Sequence, residues 1–196
     1  MRVGQGWGMN AQPPPVRNLR CFCGTLDLVA VGEPIMTVAC YCRSCQAAGK
    51  QLSQPQQPPV VAADGGTHFV LFRKDRVNWS VGSGALAEHR LSPGSTTRRV
   101  VAACCGAPMF LEFEKGHWVS VYAQRVAASA RPSVEMRTMT GNAPPGVVFN
   151  DAIPSYRTHA FPFMARLFWA WACMGFRAPE IRVEIQPWVA QGQHSS

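Results

Sequence analysis

Acidic residues are scarce in this chain. Its 196 residues hold 11 aspartates and glutamates against 19 lysines and arginines, a net charge of +8. Charged residues of both signs make up only 15% and apolar residues 47%, which excludes a chain kept unfolded by low hydrophobicity and like charge. No apolar run reaches the roughly 20 residues that a membrane-spanning helix needs; the apolar and aromatic stretch 161–176, in which only Arg166 is charged, is too short. Residues 1–20 have no apolar core of a secretory signal, so a cytoplasmic chain is expected. The basic residues form no dense block. Their tightest groups, Arg73-Lys74-Asp75-Arg76 and Arg98-Arg99, are too short for a nucleic-acid-binding arm. No internal repeat is visible.

Cysteine, by contrast, is plentiful and clustered. The chain has eight, among them Cys21-Phe22-Cys23-Gly24, Cys40-Tyr41-Cys42-Arg43-Ser44-Cys45 and Cys104-Cys105-Gly106. An even count allows four disulfides, but disulfides belong mostly to small secreted domains, and 196 residues can bury a core without them. Thiols at i, i+2 and i, i+3 point instead to a metal. Zinc takes four ligands in a tetrahedron at about 2.3 Å from sulfur. Alternate residues of a strand present their side chains to one face, so Cys21 and Cys23 are expected to offer two sulfurs from a strand. Cys105-Gly106 repeats the Cys-Gly pair and could complete a closed, structural site. Cys40, Cys42 and Cys45 supply three thiolates, and three protein ligands plus a free position is the arrangement of a catalytic zinc. The alternative is a fourth protein ligand, His68, His89 or His117, closing that site. A four-thiolate zinc carries about −2 and a three-thiolate one about −1, so part of the basic excess offsets the metal centres. Cys173 lies in the apolar stretch and is read as core.

The rest of the chain reads as mainly β. Residues 1–19 form a flexible lead-in rich in glycine and proline. Strand-like runs follow at 19–31 (a pair turning near Gly24), 35–40, 67–72, 76–81, 86–91, 98–105, 109–113 and 118–126, with one short helix at 43–52 and a Gln/Pro-rich loop at 53–66. A zinc-binding β domain is therefore expected over residues 20–126. Residues 127–196 make an extension, irregular to 158, with an apolar helix near 161–176, from about Pro162 to Gly175. A helix apolar nearly all round is buried or covered: packed on the domain, at a homo-oligomer interface, or on a membrane surface.

The motifs Cys21-x-Cys23-Gly24, Cys40-x-Cys42-x-x-Cys45, Gly49 and Cys105-Gly106-Ala107-Pro108 resemble the glutathione-dependent formaldehyde-activating enzymes, whose relatives include centromere protein V. The resemblance covers about residues 20–126. It implies a β-tent of antiparallel sheets, one structural and one catalytic zinc ion, and a carbon–sulfur lyase acting on thiol–aldehyde adducts such as S-hydroxymethylglutathione, with glutathione or another small thiol as substrate. By position it makes Cys21, Cys23 and Cys105 structural ligands and Cys40, Cys42 and Cys45 catalytic ones. Three features depart from the pattern. Ala102 stands where the third cluster usually has its first cysteine, with Cys104 beside Cys105 instead. Tyr41 replaces a histidine, and the C-terminal extension is additional. Neighbours on a strand face opposite ways, so Cys104 and Cys105 can share one ion only if the chain bends there. Arg43, Lys50 and Arg99 are candidates for holding an anionic substrate. The competing reading is a non-catalytic, zinc-stabilised binding or scaffold module that works through the apolar C-terminal segment.

Overall fold

In the computed structural model, residues 13–79, 85–181 and 184–188 are described. They form eleven strands and two α-helices: β1 (Val16–Arg20), β2 (Asp27–Val31), β3 (Met36–Cys40), α1 (Arg43–Leu52), β4 (Thr67–Arg73), β5 (Val77–Asn78), β6 (Leu86–His89), β7 (Thr97–Ala102), β8 (Pro108–Phe113), β9 (Trp118–Tyr122), β10 (Met136–Thr138), α2 (Phe161–Ala172) and β11 (Ile185–Pro187). The fold is mainly β, as expected. Most of the lead-in, and the end of the run at 76–81, lie outside the described residues.

The strands build two sheets. One has the order β1-β2-β5; the other has eight strands in the order β10-β3-β4-β9-β8-β7-β6-β11. The expectation of antiparallel sheets needs amending: both outermost pairs of the large sheet, β10 with β3 and β11 with β6, are parallel. Both edge strands come from beyond residue 126. The stretch read as irregular to 158 thus contains Met136–Thr138, paired with Val38–Cys40.

The large sheet is buried on both faces, which is why its strands read as nearly continuous apolar runs. In β4, Val70 and Phe72 face the small sheet and join Leu19, Leu28, Phe110 and Val121 in the main core. Phe69 and Leu71 face the other way, with Met36, Val38, Leu111 and Leu167. The period of two along β3 therefore delivers Cys40, in step with Met36 and Val38, to this second face.

Two helices cover that face. Helix α1 packs through Cys45, Ala48, Gly49 and Leu52. Gly49 is where it meets the loop after it: a Cβ there would lie 2.2 Å from Val61 Cγ2. Gly49→Ala should therefore cost about 1–3 kcal/mol of stability through overpacking, outweighing the roughly 1 kcal/mol that alanine gains in a helix interior; urea denaturation would measure it. Helix α2 begins with a proline in its first turn and ends at Ala172, followed by a turn in which Gly175 (φ 64°) and Phe176 (φ 58°) are left-handed. His117, buried and stacked on Trp171, bonds through Nε2 to Leu167 O at 2.8 Å and ties the helix to the sheet. Burial lowers the His117 pKa, so the ring is held neutral. An Arg166–Glu135 ion pair adds a second tether.

Among the described residues, only one side of α2 is covered. Leu167 and Ala170 are buried, whereas Phe161 is 84% and Trp169 71% exposed. Cys173, read as core, is exposed at the C-cap of α2. No helix among the described residues is long and apolar enough to cross a membrane.

Candidate metal centres and an apolar cavity

Cys21 and Cys23 do not sit on a strand. They occupy the turn between β1 and β2, closed by Cys21 N to Leu26 O at 2.9 Å and Gly24 N to Cys21 O at 3.2 Å. Gly24 has φ +80°, a value that favours glycine. A tight turn presents two thiols to one point just as a strand would, so the i, i+2 spacing alone does not separate the two. The Cys104-Cys105 pair is also on a turn. Strand β7 stops at Ala102, whose carbonyl accepts from Cys105 N at 3.3 Å and Gly106 N at 2.8 Å, and Gly106 adopts φ +68°. The chain therefore bends where adjacent cysteines would otherwise diverge. Ala102 is fully buried in the core and anchors this turn.

The two turns meet. The thiol sulfurs of Cys21, Cys23, Cys104 and Cys105 all lie within 4.8 Å of one another. Cys21 is 3.4 Å from Cys23 and 3.8 Å from Cys104, and Cys23 is 3.3 Å from Cys104. A disulfide would need about 2.05 Å, and all eight cysteines are free thiols. A tetrahedron with sulfurs about 2.3 Å from its centre has edges of about 3.8 Å, so the four fit around one ion. Hydrogen bonding with Thr25 lowers the Cys23 pKa to about 6, whereas burial raises those of Cys21 and Cys104.

Cys40, Cys42 and Cys45 form the second group, also within 4.8 Å. Cys40 ends β3, Cys42 is the N-cap of α1, and Cys45 lies in its first turn; Cys42 Sγ accepts from Cys45 N at 3.4 Å and lies 3.2 Å from Ser44 Oγ. Hydrogen bonds from Cys40 and Cys45 hold the Cys42 thiol far below its usual range, and the same contacts raise Cys40 to about 11 and Cys45 well upward. Cys42 is thus the thiol of the three most readily deprotonated, at a helix N-terminus that favours negative charge. Tyr41 points away: its hydroxyl donates to Asp64 Oδ2 at 2.6 Å and its ring packs on Phe149.

Among the described residues no histidine or carboxylate joins either group. His117 is engaged with α2, and neither His68 nor His89 lies with the thiols. Of the candidate anion-holding residues, Arg43 and Lys50 are exposed. Arg99 is buried, with Nη2 donating to Ser44 O at 3.1 Å; it braces the start of α1.

The two groups differ in what lies beside them. The three-thiol group opens into a cavity of about 450 Å³ between the large sheet and α2. Val38, Phe69, Leu71 and Leu111 form its floor, and Phe163, Met164 and Leu167 its roof. His159 stands in the wall, and Ser44, Thr97, Ser120 and Thr138 supply hydroxyls. Residues 151–158 run beside β10, through Arg137 N to Pro154 O at 2.8 Å and Tyr156 N to Arg137 O at 3.0 Å, and lead the chain into α2. His159 and the roof have no spacing relation to the cysteines, so no cysteine motif points to them. The only signal is that an apolar helix must cover something.

Residues 16–58 match the family model described as glutathione-dependent formaldehyde-activating enzyme. The matched segment holds Cys21, Cys23, Cys40, Cys42 and Cys45; Cys104, Cys105 and the cavity roof lie outside it. No curated protein matches the chain. The two thiol clusters, five of whose cysteines fall in the matched segment, could each hold a metal ion.

Proposed function

We propose that the chain is a carbon–sulfur lyase with two zinc ions: a closed site at Cys21, Cys23, Cys104 and Cys105, and a site at Cys40, Cys42 and Cys45 that works on thiol–aldehyde adducts. The observation that carries this reading is that the three-thiol group borders the apolar cavity under α2, whereas the four-thiol group touches, through Cys21, a separate hollow beside Arg20, Gln124 and Arg131. The β frame with cysteine-bearing turns also agrees with a β-tent. A zinc ion held by three thiolates would supply a position at which a further thiol stays deprotonated near neutral pH.

The chain's own residues supply the remainder. Cleaving R–S–CH(OH)–R′ breaks the C–S bond, leaves the electron pair on sulfur and frees the hydroxyl proton as the aldehyde forms. His159 is the only imidazole in the cavity wall among the described residues and accepts that proton; Ser120 and Thr138 orient the adduct hydroxyl. Sulfur and aldehyde leave without any oxidant.

Zinc-loaded protein should therefore cleave hemithioacetals. Cys42→Ser should lower kcat/KM by about 100-fold or more, as loss of a group acting in the transition state does, with His159→Gln lowering kcat at unchanged metal content. Full metal loading with no turnover of any adduct would contradict the reading. The exposed aromatic face of α2 favours a second reading, a non-catalytic binding module. Trp169→Ser would then change partner binding or oligomeric state while Cys42→Ser would not.

A further inference from the structure

We infer that the cavity selects a thiol, or thiol adduct, with a neutral apolar body, and does not accommodate glutathione. This deepens the proposed function and rests on its reading of Cys40, Cys42 and Cys45 as the thiol site.

Among the described residues no lysine, arginine, aspartate or glutamate lines the cavity. Glutathione carries two carboxylates and an ammonium group. Seating it with its sulfur at the three cysteines would bring those charges against Leu71, Leu111, Phe163 and Leu167, and charges removed from water need partners. Arg166 pairs with Glu135 on the outer surface and Arg98 is held by Glu112 on the opposite face of the sheet. Arg99, buried opposite Leu111, donates Nη2 to Ser44 O and is not among the residues that line the cavity. The hydroxyls of Ser44, Thr97, Ser120 and Thr138 suit the single hydroxyl of a hemithioacetal, not a set of ionic groups.

Volume and rim agree. About 450 Å³ lies in the range of cavities that enclose a drug-sized apolar ligand. Phe113 and Met164, both partly exposed, edge the cavity and continue outward as apolar surface. An aromatic or aliphatic body thus has an apolar route from the surface to the sulfurs. The departure from the family's usual thiol is carried by α2, which lies outside the family match.

Isothermal titration of the zinc-loaded full chain with benzyl mercaptan and with glutathione tests this. Burying one phenyl ring predicts at least about tenfold tighter binding of benzyl mercaptan. Equal or tighter binding of glutathione, or no binding of benzyl mercaptan, overturns the inference. Met164→Arg, at a half-exposed position, should narrow the preference about tenfold by placing a cation at the rim; an unchanged preference also overturns it. Turnover separates the two claims. If benzyl mercaptan binds more tightly but the formaldehyde adduct of neither thiol is cleaved, the selectivity stands and the lyase reading fails. If the glutathione adduct is bound more tightly and cleaved faster, the lyase reading stands and the selectivity fails.

Discussion

Cys104→Ser is expected to lower the melting temperature of the metal-loaded protein by about 5–11 °C, and Cys173→Ser to leave it unchanged. The four-thiol group joins the β1–β2 turn to the end of β7, segments more than 80 residues apart in sequence. An ion there is bound only by the folded chain, so its binding energy is folding energy. Partners of metal ligands are worth 10–100-fold in affinity, and a ligand itself is worth no less. A 100-fold loss at saturating metal corresponds to about 2.7 kcal/mol, and a domain of this size shifts by about 2–4 °C per kcal/mol. Cys173 stands apart from both groups. Scanning calorimetry with excess zinc gives the comparison. If Cys104→Ser were neutral while Cys105→Ser was costly, Cys104 would be a bystander and the bend at Ala102 would have no bearing on the metal.

Glu112→Leu should lower the melting temperature further, by about 6–20 °C. Glu112 is 2% exposed, and its carboxylate meets Lys74 Nζ at 2.5 Å and Arg98 Nε at 2.6 Å. Lys74 is itself buried and cannot recover water if the carboxylate is lost. Removing one member of such a group leaves an uncompensated buried charge, at about 3–5 kcal/mol, which sets the range. Arg98 retains Glu88 at 3.5 Å and suffers less. The double variant Lys74→Met with Glu112→Leu should recover much of the loss, because an apolar pair of similar volume avoids desolvation altogether. A double variant as unstable as Glu112→Leu would mean that the carboxylate acts through packing and not charge.

The local chemistry of the chain was legible where a short signal decides the structure. The 43–52 helix forms over Arg43–Leu52, and the alternation in β3 and β4 sorts residues between the two faces of the sheet. The cysteine groups could be paired from spacing and the Cys-Gly repeats. Long-range geometry was less accessible. The i, i+2 spacing at Cys21 fits a strand or a turn, and Gly24 at positive φ is what settles it. Edge strands of three residues, such as Met136–Thr138 beside Val38–Cys40, carry no local pattern, because their pairing is decided by a partner about 100 residues away. The apolar character of 161–176 indicates cover, but not that one side of α2 roofs the thiols while Phe161 and Trp169 face outward. His159 lies in a part of the chain whose sequence gives no reason to associate it with Cys40.

X-ray absorption at the zinc edge, with metal counted against protein, tests the central claim most directly. Two zinc ions per chain, one held by four sulfurs and one by three sulfurs and a lighter atom, would average about 3.5 sulfurs per metal. A single zinc per chain, or two ions each fully surrounded by sulfur, would contradict the division into a closed site and a working one.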